Sequence, residues 1–373
     1  MNLFFIIAFL IYTLINVYVF YRGWQALPKS KRVKWIYAIV YLFIFLSFII
    51  AMLGRNHLPV FIQKILYFPG TSWLAVMMYL LLFFILTDLI YFLYRIFHGI
   101  SYKDKKKFRK MQVFTGYSLV IALAIYGYVQ FSHPKIVEQE IVIHKNSGNY
   151  KELKVVGISD LHLGINIDKK RLAKQVKLIN EQHPDLIVIA GDIVDNNVLP
   201  LEKEKMWEEF EQLQAPLGVY FCPGNHEYLS GIKPSMAFLK KTKLHLLIDN
   251  YALVDNSLYI IGRDDKQGNP QRKSLKDLLT NINPALPMVL LDHEPYHLEE
   301  AEANGIDLQF SGHTHNGQIW PGNLVVKWIY ELGHGYKQRG NTHYFVSSGL
   351  GLWGPQFRIG TESEVVVFNI KFN

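Results

Sequence analysis

The sequence predicts an apolar helical front joined to a layered α/β domain, and three observations carry that prediction. The first part of the chain is dense in apolar and aromatic runs long enough to cross a bilayer. The remainder alternates short strand signals with amphipathic helical ones, the texture of an α/β layered domain. Five of its strand-like runs end in a carboxylate, an amide or an imidazole. In open α/β sheets, sites are built at the carboxyl ends of the strands.

Charge divides the chain in the same place. Residues 1–134 hold 14 Lys and Arg against 2 Asp and Glu, a net of +12, and the rest holds 25 against 29, a net of −4. The overall +8 therefore belongs to the front. The second part lacks the basic patch that nucleic-acid binding requires. The single cysteine, Cys222, excludes an intramolecular disulfide framework and a zinc-thiolate site, and in its apolar run it reads as an inert buried thiol.

Four spans are expected: Met1 to Tyr21, Trp35 to Leu53, Ser72 to Phe92 and Met111 to Phe131. The first has no basic residues ahead of it and no small-residue cleavage site, so it reads as a retained anchor. Lys and Arg concentrate in the first loop (Arg22, Lys29, Lys31, Arg32, Lys34) and the third (Arg95, Lys103, Lys105, Lys106, Lys107, Arg109, Lys110), against Arg55 and Lys64 in the middle one. Positive loops stay cytoplasmic, which puts the N-terminus and everything after the fourth span outside. Asp88 is the acidic residue inside a span; such a charge marks a functional site by default, but pairing with Arg95 would make it structural.

Ser132 to Glu140 reads as a polar linker around Pro134. Strands are expected at Lys154 to Ile158, Leu186 to Ala190, Val219 to Cys222, Leu244 to Ile248, Met288 to Leu291, Tyr344 to Ser348 and Val365 to Ile370. Helices are expected at Lys169 to His183, Leu201 to Leu213, Pro234 to Thr242, Leu275 to Leu279 and His297 to Ala303. The resulting organisation is a four-helix membrane domain over 1–131, a linker and first strand over 132–150, and the α/β domain over 151–373.

The strand ends carry the chemistry. Leu186-Ile-Val-Ile-Ala190 runs straight into Gly191-Asp192-Ile-Val-Asp195, and buried anions are costly unless a cation neutralises them. Asp160 and His162 stand two apart, so an extended backbone would project both to one side. Asn225, His226, His293, His313 and His315 follow other runs. Asp160, His162, Asp192, Asn225, His293, His313 and His315 are too many ligands for one ion, so two are expected. Oxygen and imidazole donors without thiolate suit Mn, Fe or Zn, with Mn favoured. Two such ions polarise a phosphoryl group and ready a hydroxide at neutral pH, which predicts phosphoester hydrolysis. His226 is placed to donate a proton to the leaving oxygen or to stabilise charge on the phosphoryl group, with Asp195 orienting it through a carboxylate-imidazole hydrogen bond.

Asp160-x-His162, Gly191-Asp192-x-x-Asp195, Gly224-Asn225-His226-Glu227, His293 and Gly312-His313-Thr-His315 resemble, in order and spacing, the five motifs of the calcineurin-like metallophosphoesterases. The resemblance spans Lys154 to the C-terminus and leaves out the apolar front. It implies a two-sheet sandwich flanked by helices. It also implies a first metal held by Asp160, His162, Asp192 and His315, a second held by Asp192, Asn225, His293 and His313, and His226 as catalytic histidine paired with Asp195. Asn196 stands where the phosphoprotein-phosphatase branch has arginine. The Gly312 to Ile319 segment and the turn Ser347-Ser-Gly-Leu-Gly351 look like a membrane-anchored bacterial branch related to phosphodiesterases and to UDP-2,3-diacylglucosamine pyrophosphatases.

Asn316 and Arg358 are the candidate substrate-binding residues, with a turn role open for Asn316 and a solvated-loop role open for Arg358. Trp320 to Arg339 is an insertion that reads as a substrate-facing flap, a bilayer grip or a solvated loop. Glu227 reads as a surface or helix-start residue, and His245, His297, His334 and His343 as ordinary core or surface histidines. The expected whole is a multi-pass membrane phosphoesterase with an extracytoplasmic site, partnered by the bilayer and acting on a lipid-linked or membrane-proximal phosphodiester or pyrophosphate. The alternatives are a nucleotide or phosphomonoester hydrolase outside the membrane, or a non-catalytic sensor that binds a phosphorylated ligand.

Overall fold

Apolar runs at the front of the chain become four helices: α1 (Leu3–Ala26), α2 (Lys31–Leu53), α3 (Val60–His98) and α4 (Tyr102–Ser132). The computed structural model describes residues 3–54, 57–98 and 102–373, so Arg55 lies outside the described residues. Each helix is long and apolar enough to cross a membrane. α3, with 39 residues and Pro69 inside it, extends well past both expected ends. Without water, polar side chains hold such helices together only where their hydrogen bonds are completed between them. Asn16 is one such hub, accepting from Trp73 Nε1 at 2.8 Å and from Tyr41 Oη at 3.2 Å. Asp88 is another, and its partners correct the expectation: they are Arg22 and Arg109 rather than Arg95, with Tyr18 Oη at 2.8 Å and Gln112 Nε2 at 2.9 Å.

The chain divides into two compact units, Met1–Val129 with Gly354–Phe357, and Gln130–Trp353 with Arg358–Asn373. The second contains β1 (Lys135–Ile143), β2 (Glu152–Ile158), α5 (Lys169–Asn180), β3 (Leu186–Ala190), α6 (Leu199–Lys203), α7 (Trp207–Phe210) and β4 (Val219–Cys222). It continues through α8 (Asn225–Leu229), α9 (Ile232–Leu239), β5 (His245–Leu246), β6 (Asn250–Val254), β7 (Leu258–Gly262), α10 (Leu275–Leu278) and β8 (Met288–Leu291). The last elements are α11 (Leu298–Ala303), β9 (Leu308–Ser311), α12 (Gly322–Ile329), β10 (Gly335–Arg339), β11 (Thr342–Val346) and β12 (Glu364–Phe372).

Two six-stranded sheets result, in the orders β1-β12-β2-β3-β4-β5 and β10-β11-β9-β8-β7-β6. Alternation along the strands divides their side chains among three apolar layers. Ile187 and Ile189 of β3 face the helices, packing with Leu172, Val176, Phe210 and Phe238. Leu186, Val188 and Ala190 face the other sheet, meeting Ile260, Val289, Leu291 and Phe310. Beyond the second sheet, Ile261, Leu290 and Tyr344 pack with Leu275, Leu278 and Leu298. Phe310 is fully buried between the sheets, its ring 5.6 Å from Phe368, and truncating a core aromatic of this kind costs about 3–5 kcal/mol.

Several boundaries differ from expectation. The linker is only His133 and Pro134, because Lys135 already pairs with Glu364 in a parallel β1–β12 ladder. The helix expected over Leu201 to Leu213 breaks into α6 and α7, with Lys205 at φ 50° between them. β5 is reduced to two residues at a sheet edge. The unforeseen β6–β7 hairpin turns at Asp255 and Asn256, both with positive φ. The Trp320 to Arg339 insertion is no solvated loop but carries α12 and β10.

Candidate metal centre

Strand ends β2, β3, β4, β8 and β9 converge, and the residues that follow β2, β3 and β9 leave the sheet through left-handed turns. Asp160, His162, Asp192, His313 and His315 all have positive φ, between 47° and 71°. Non-glycine residues seldom adopt this region, and strain of this kind clusters at functional sites. The extended Asp160-x-His162 geometry expected from spacing is thus replaced by two kinks. They are held because His162 N donates to Asp192 O at 2.9 Å and Asp160 N to Gly191 O at 3.1 Å. Gly191, at φ 75°, permits the crossing, since a Cβ there would collide with the His293 ring.

Three buried triads each bring ligand atoms within 4.8 Å of one another: Asp160, His162 and His315; Asp160, Asp192 and His293; and His162, Asp195 and His226. His162 Nε2 and His315 Nε2 face each other at 3.0 Å, with Asp160 Oδ1 at 3.4 Å from His315. Asp192 Oδ2 lies 3.1 Å from His293 Nε2 and 3.7 Å from His162 Nε2, so one carboxylate reaches both groups of imidazoles. His313 Nδ1 stands 3.1 Å from Asn225 Oδ1. Of the seven expected ligands, five fall in these triads, and Asn225 and His313 pair beside them.

Electrostatics here is severe. Burial raises the Asp160 carboxyl, and Asp192 adds to the rise even though His293 and His162 oppose it. Burial works against Asp192 as well, yet His293 and His226 hold it well below the usual carboxylate range. Asp195 is brought to about 2 by His162 and His226 despite its burial. His226 rises to about 9 because Asp192 and Asp195 outweigh burial, whereas burial and neighbouring imidazoles push His313 to about 3. Burial and His162 drive His315 far below its ordinary value, leaving it neutral, the form in which imidazole ligates metals. Among the described residues, buried His162 Nδ1 and His315 Nδ1 lack hydrogen-bond partners, and buried polar atoms without partners call for a ligand or ion. The donor set fits divalent cations.

Two expectations change in detail. His226 Nδ1 contacts the Asp195 main-chain oxygen at 2.7 Å, while the Asp195 carboxylate stays 3.5 Å from both His226 and His162. The carbonyl, not the carboxylate, therefore fixes the His226 tautomer. Arg358 is fully buried and donates to the main-chain oxygens of His315, Ser348, Gly349 and Gly351. It braces the loops under the site, so it is not a substrate contact. Asn316 sits in the turn after His315 at φ 49°.

Residue patterns missed other contributors. Glu227 is fully buried and accepts from the main-chain N–H groups of Asp192, Val194 and Gly224, capping the Gly224 N–H and locking the Asp192 loop to the start of the Asn225 helix. The Glu three residues after Gly224 was the available signal. Glu294 is buried beside the centre, 3.7 Å from His313 Nε2, and burial with Asp265 nearby lifts it to about 7. His245, His297, His334 and His343 stand outside the three triads.

The pattern of the calcineurin-like phosphoesterase family matches residues 153–317. An uncharacterized metallophosphoesterase of Helicobacter pylori is 32% identical, over 74% of this chain and 76% of its own. The chain belongs to the calcineurin-like metallophosphoesterases. A further member, an uncharacterized metallophosphoesterase of Campylobacter jejuni, is 28% identical over 98% of this chain and 97% of its own. The transmembrane protein with metallophosphoesterase domain of Danio rerio is 29% identical, covering 68% of this chain and 61% of its own. As a calcineurin-like metallophosphoesterase, the chain is a metal-dependent phosphoester hydrolase, and its four apolar helices point to membrane association.

Proposed function

We propose that this metallophosphoesterase cleaves a phosphodiester or pyrophosphate bond in a lipid-linked or membrane-proximal substrate, with its site outside the cytoplasm. Asp160, His162, Asp192 and His315 would hold one divalent ion, and Asp192, Asn225, His293 and His313 the other. Those ions would supply positive charge to the phosphoryl oxygens and lower the pKa of water. His226, with Nδ1 committed to the Asp195 carbonyl, offers Nε2 as the atom that passes a proton to the leaving oxygen. Its side chain keeps 10% of its surface exposed, against 0% for His162 and Asp160, which suits a group that meets substrate at the rim.

One observation carries the membrane-proximal reading. β1 runs parallel to β12, with Lys135 beside Glu364, and β12 runs antiparallel to β2, with Val366 beside Gly157. The start of β1 and the end of β2 therefore lie at the same edge of the sheet. The polypeptide enters this unit, two residues after the fourth apolar helix, at the edge where the candidate ligands gather. The lysine and arginine bias of the loops supports an outside location. The test is hydrolysis by detergent-purified protein with Mn added, comparing lipid phosphoesters and pyrophosphates with soluble nucleotides. Cleavage of lipid substrates supports the reading; cleavage confined to soluble nucleotides removes it.

A further inference from the structure

Helix α12 presents Leu324, Val325, Trp328 and Ile329 as one exposed face, with Trp328 86% exposed and the other three above 50%. Residues four apart share a helix face, so 324 with 328 and 325 with 329 form a continuous apolar strip. Val326 turns inward, and Lys327 is the charge in the helix. The segment is fastened to the candidate metal centre at both ends. It starts from the His315–Gly317 turn, and Thr314, between the two motif histidines, donates to Gly333 O at 2.6 Å. Trp353, about half exposed, adds an aromatic ring and is joined to Gln318 by two hydrogen bonds.

The same segment adjoins the point where the chain enters the unit. His334 Nε2 lies 3.2 Å from Glu364 Oε2, and Trp320 N donates to Ile359 O at 2.7 Å. Lys135 N donates to Ser363 O at 2.8 Å, and its ammonium pairs with Glu362. The 359–364 strip thus carries both the tether and the flanks of α12. His133 and Pro134 alone separate α4 from β1.

We infer that α12 is an interfacial element that beds Leu324, Val325, Trp328 and Ile329 in the bilayer surface and so holds the candidate metal centre at the headgroup level. An apolar helical strip that carries a tryptophan next to a lysine partitions into that layer. The inference rests on the membrane-proximal reading above and deepens it: the substrate's phosphoester would lie at headgroup depth, and its apolar part would remain in the membrane.

The test uses the full chain in vesicles of phosphatidylethanolamine and phosphatidylglycerol. Cys222 is buried, so a nitrobenzoxadiazole label can be directed to Trp328→Cys. A reference label goes at Lys177→Cys, on the last turn of α5 where the chain heads for the start of β3. Expected is a blue-shifted label at 328, about 5–10 Å below the headgroup level and quenched by doxyl lipids, with the 177 label in water and unquenched. Equal, water-like behaviour at both positions overturns the inference. A Leu324→Asp, Trp328→Asp variant should keep turnover of soluble bis-p-nitrophenyl phosphate and lose about tenfold on a lipid phosphoester in vesicles; equal loss on both substrates also counts against it. Label depth is read without any lipid turnover, so a buried label on a protein that cleaves no lipid leaves α12 insertion standing and removes the substrate reading.

Discussion

Asp88 and Asp192 are both acids surrounded by protein, and they are neutralised in opposite ways. Each oxygen of Asp88 has two donors: Arg109 and Gln112 on one, Arg22 and Tyr18 on the other. Asp192 stands with buried Asp160 and Asp195 among imidazoles, and among the described residues His162 Nδ1 and His315 Nδ1 beside it have no hydrogen-bond partner. A charge fully answered by its own chain is a structural tie. Carboxylates and imidazoles crowded together in this way suit divalent cations. Asp88, a functional candidate by its position in a span, is therefore better read as a fastening of the helices.

Substitutions test that contrast. The largest effect is expected for Asp192→Ala, which removes the carboxylate that reaches both groups of imidazoles: metal content should collapse and bis-p-nitrophenyl phosphate turnover fall about a thousandfold or more. His226→Ala should keep metals and lose about a hundredfold or more in turnover; full activity would refute its assignment as the proton donor. For Asp88→Ala the sign of the contrast reverses. Two arginines lose their shared partner, which should cost about 3–5 kcal/mol of stability and show as a lower melting temperature in detergent. Turnover by the protein that remains folded should be unchanged, and a loss comparable to that of His226→Ala would give Asp88 a catalytic part.

The smallest effect concerns pH. Burial pushes the Glu364 carboxyl up, but His334 and the Ser348 N–H hold it below the ordinary glutamate range. A depressed carboxylate stabilises above its unfolded pKa, and that stability is lost as pH falls through the folded value. The melting temperature of wild type should exceed that of Glu364→Gln at neutral pH, and the difference should close as pH drops below about 4. A difference that stays constant with pH would make Glu364 a packing residue alone.

What the sequence displays and what it conceals separate along physical lines. The candidate ligand set is legible because Asp160, Asp192, Asn225, His293 and His313 each follow a short apolar run, and strand ends are where sheets place polar groups. The left-handed kinks that aim Asp160 and His162 are not, since nothing in Asp-Leu-His marks a positive φ until Gly191 O and Asp192 O are seen to receive their amides. Arg358 looked like a phosphate contact because arginine usually is one; only the fold reveals four carbonyls waiting for it. The β1–β12 ladder joins residues near 135 to residues near 364, a pairing too distant for local pattern to anticipate. For the same reason α12 could be seen as aromatic but not as a helix clamped beside His313.

The most direct test of the central claim is metal stoichiometry, measured on wild-type protein purified in detergent and assayed in the same sample with bis-p-nitrophenyl phosphate. Two divalent ions per chain are expected, with turnover lost when a chelator removes them and regained when Mn is restored. Turnover that persists in metal-free protein would contradict that expectation.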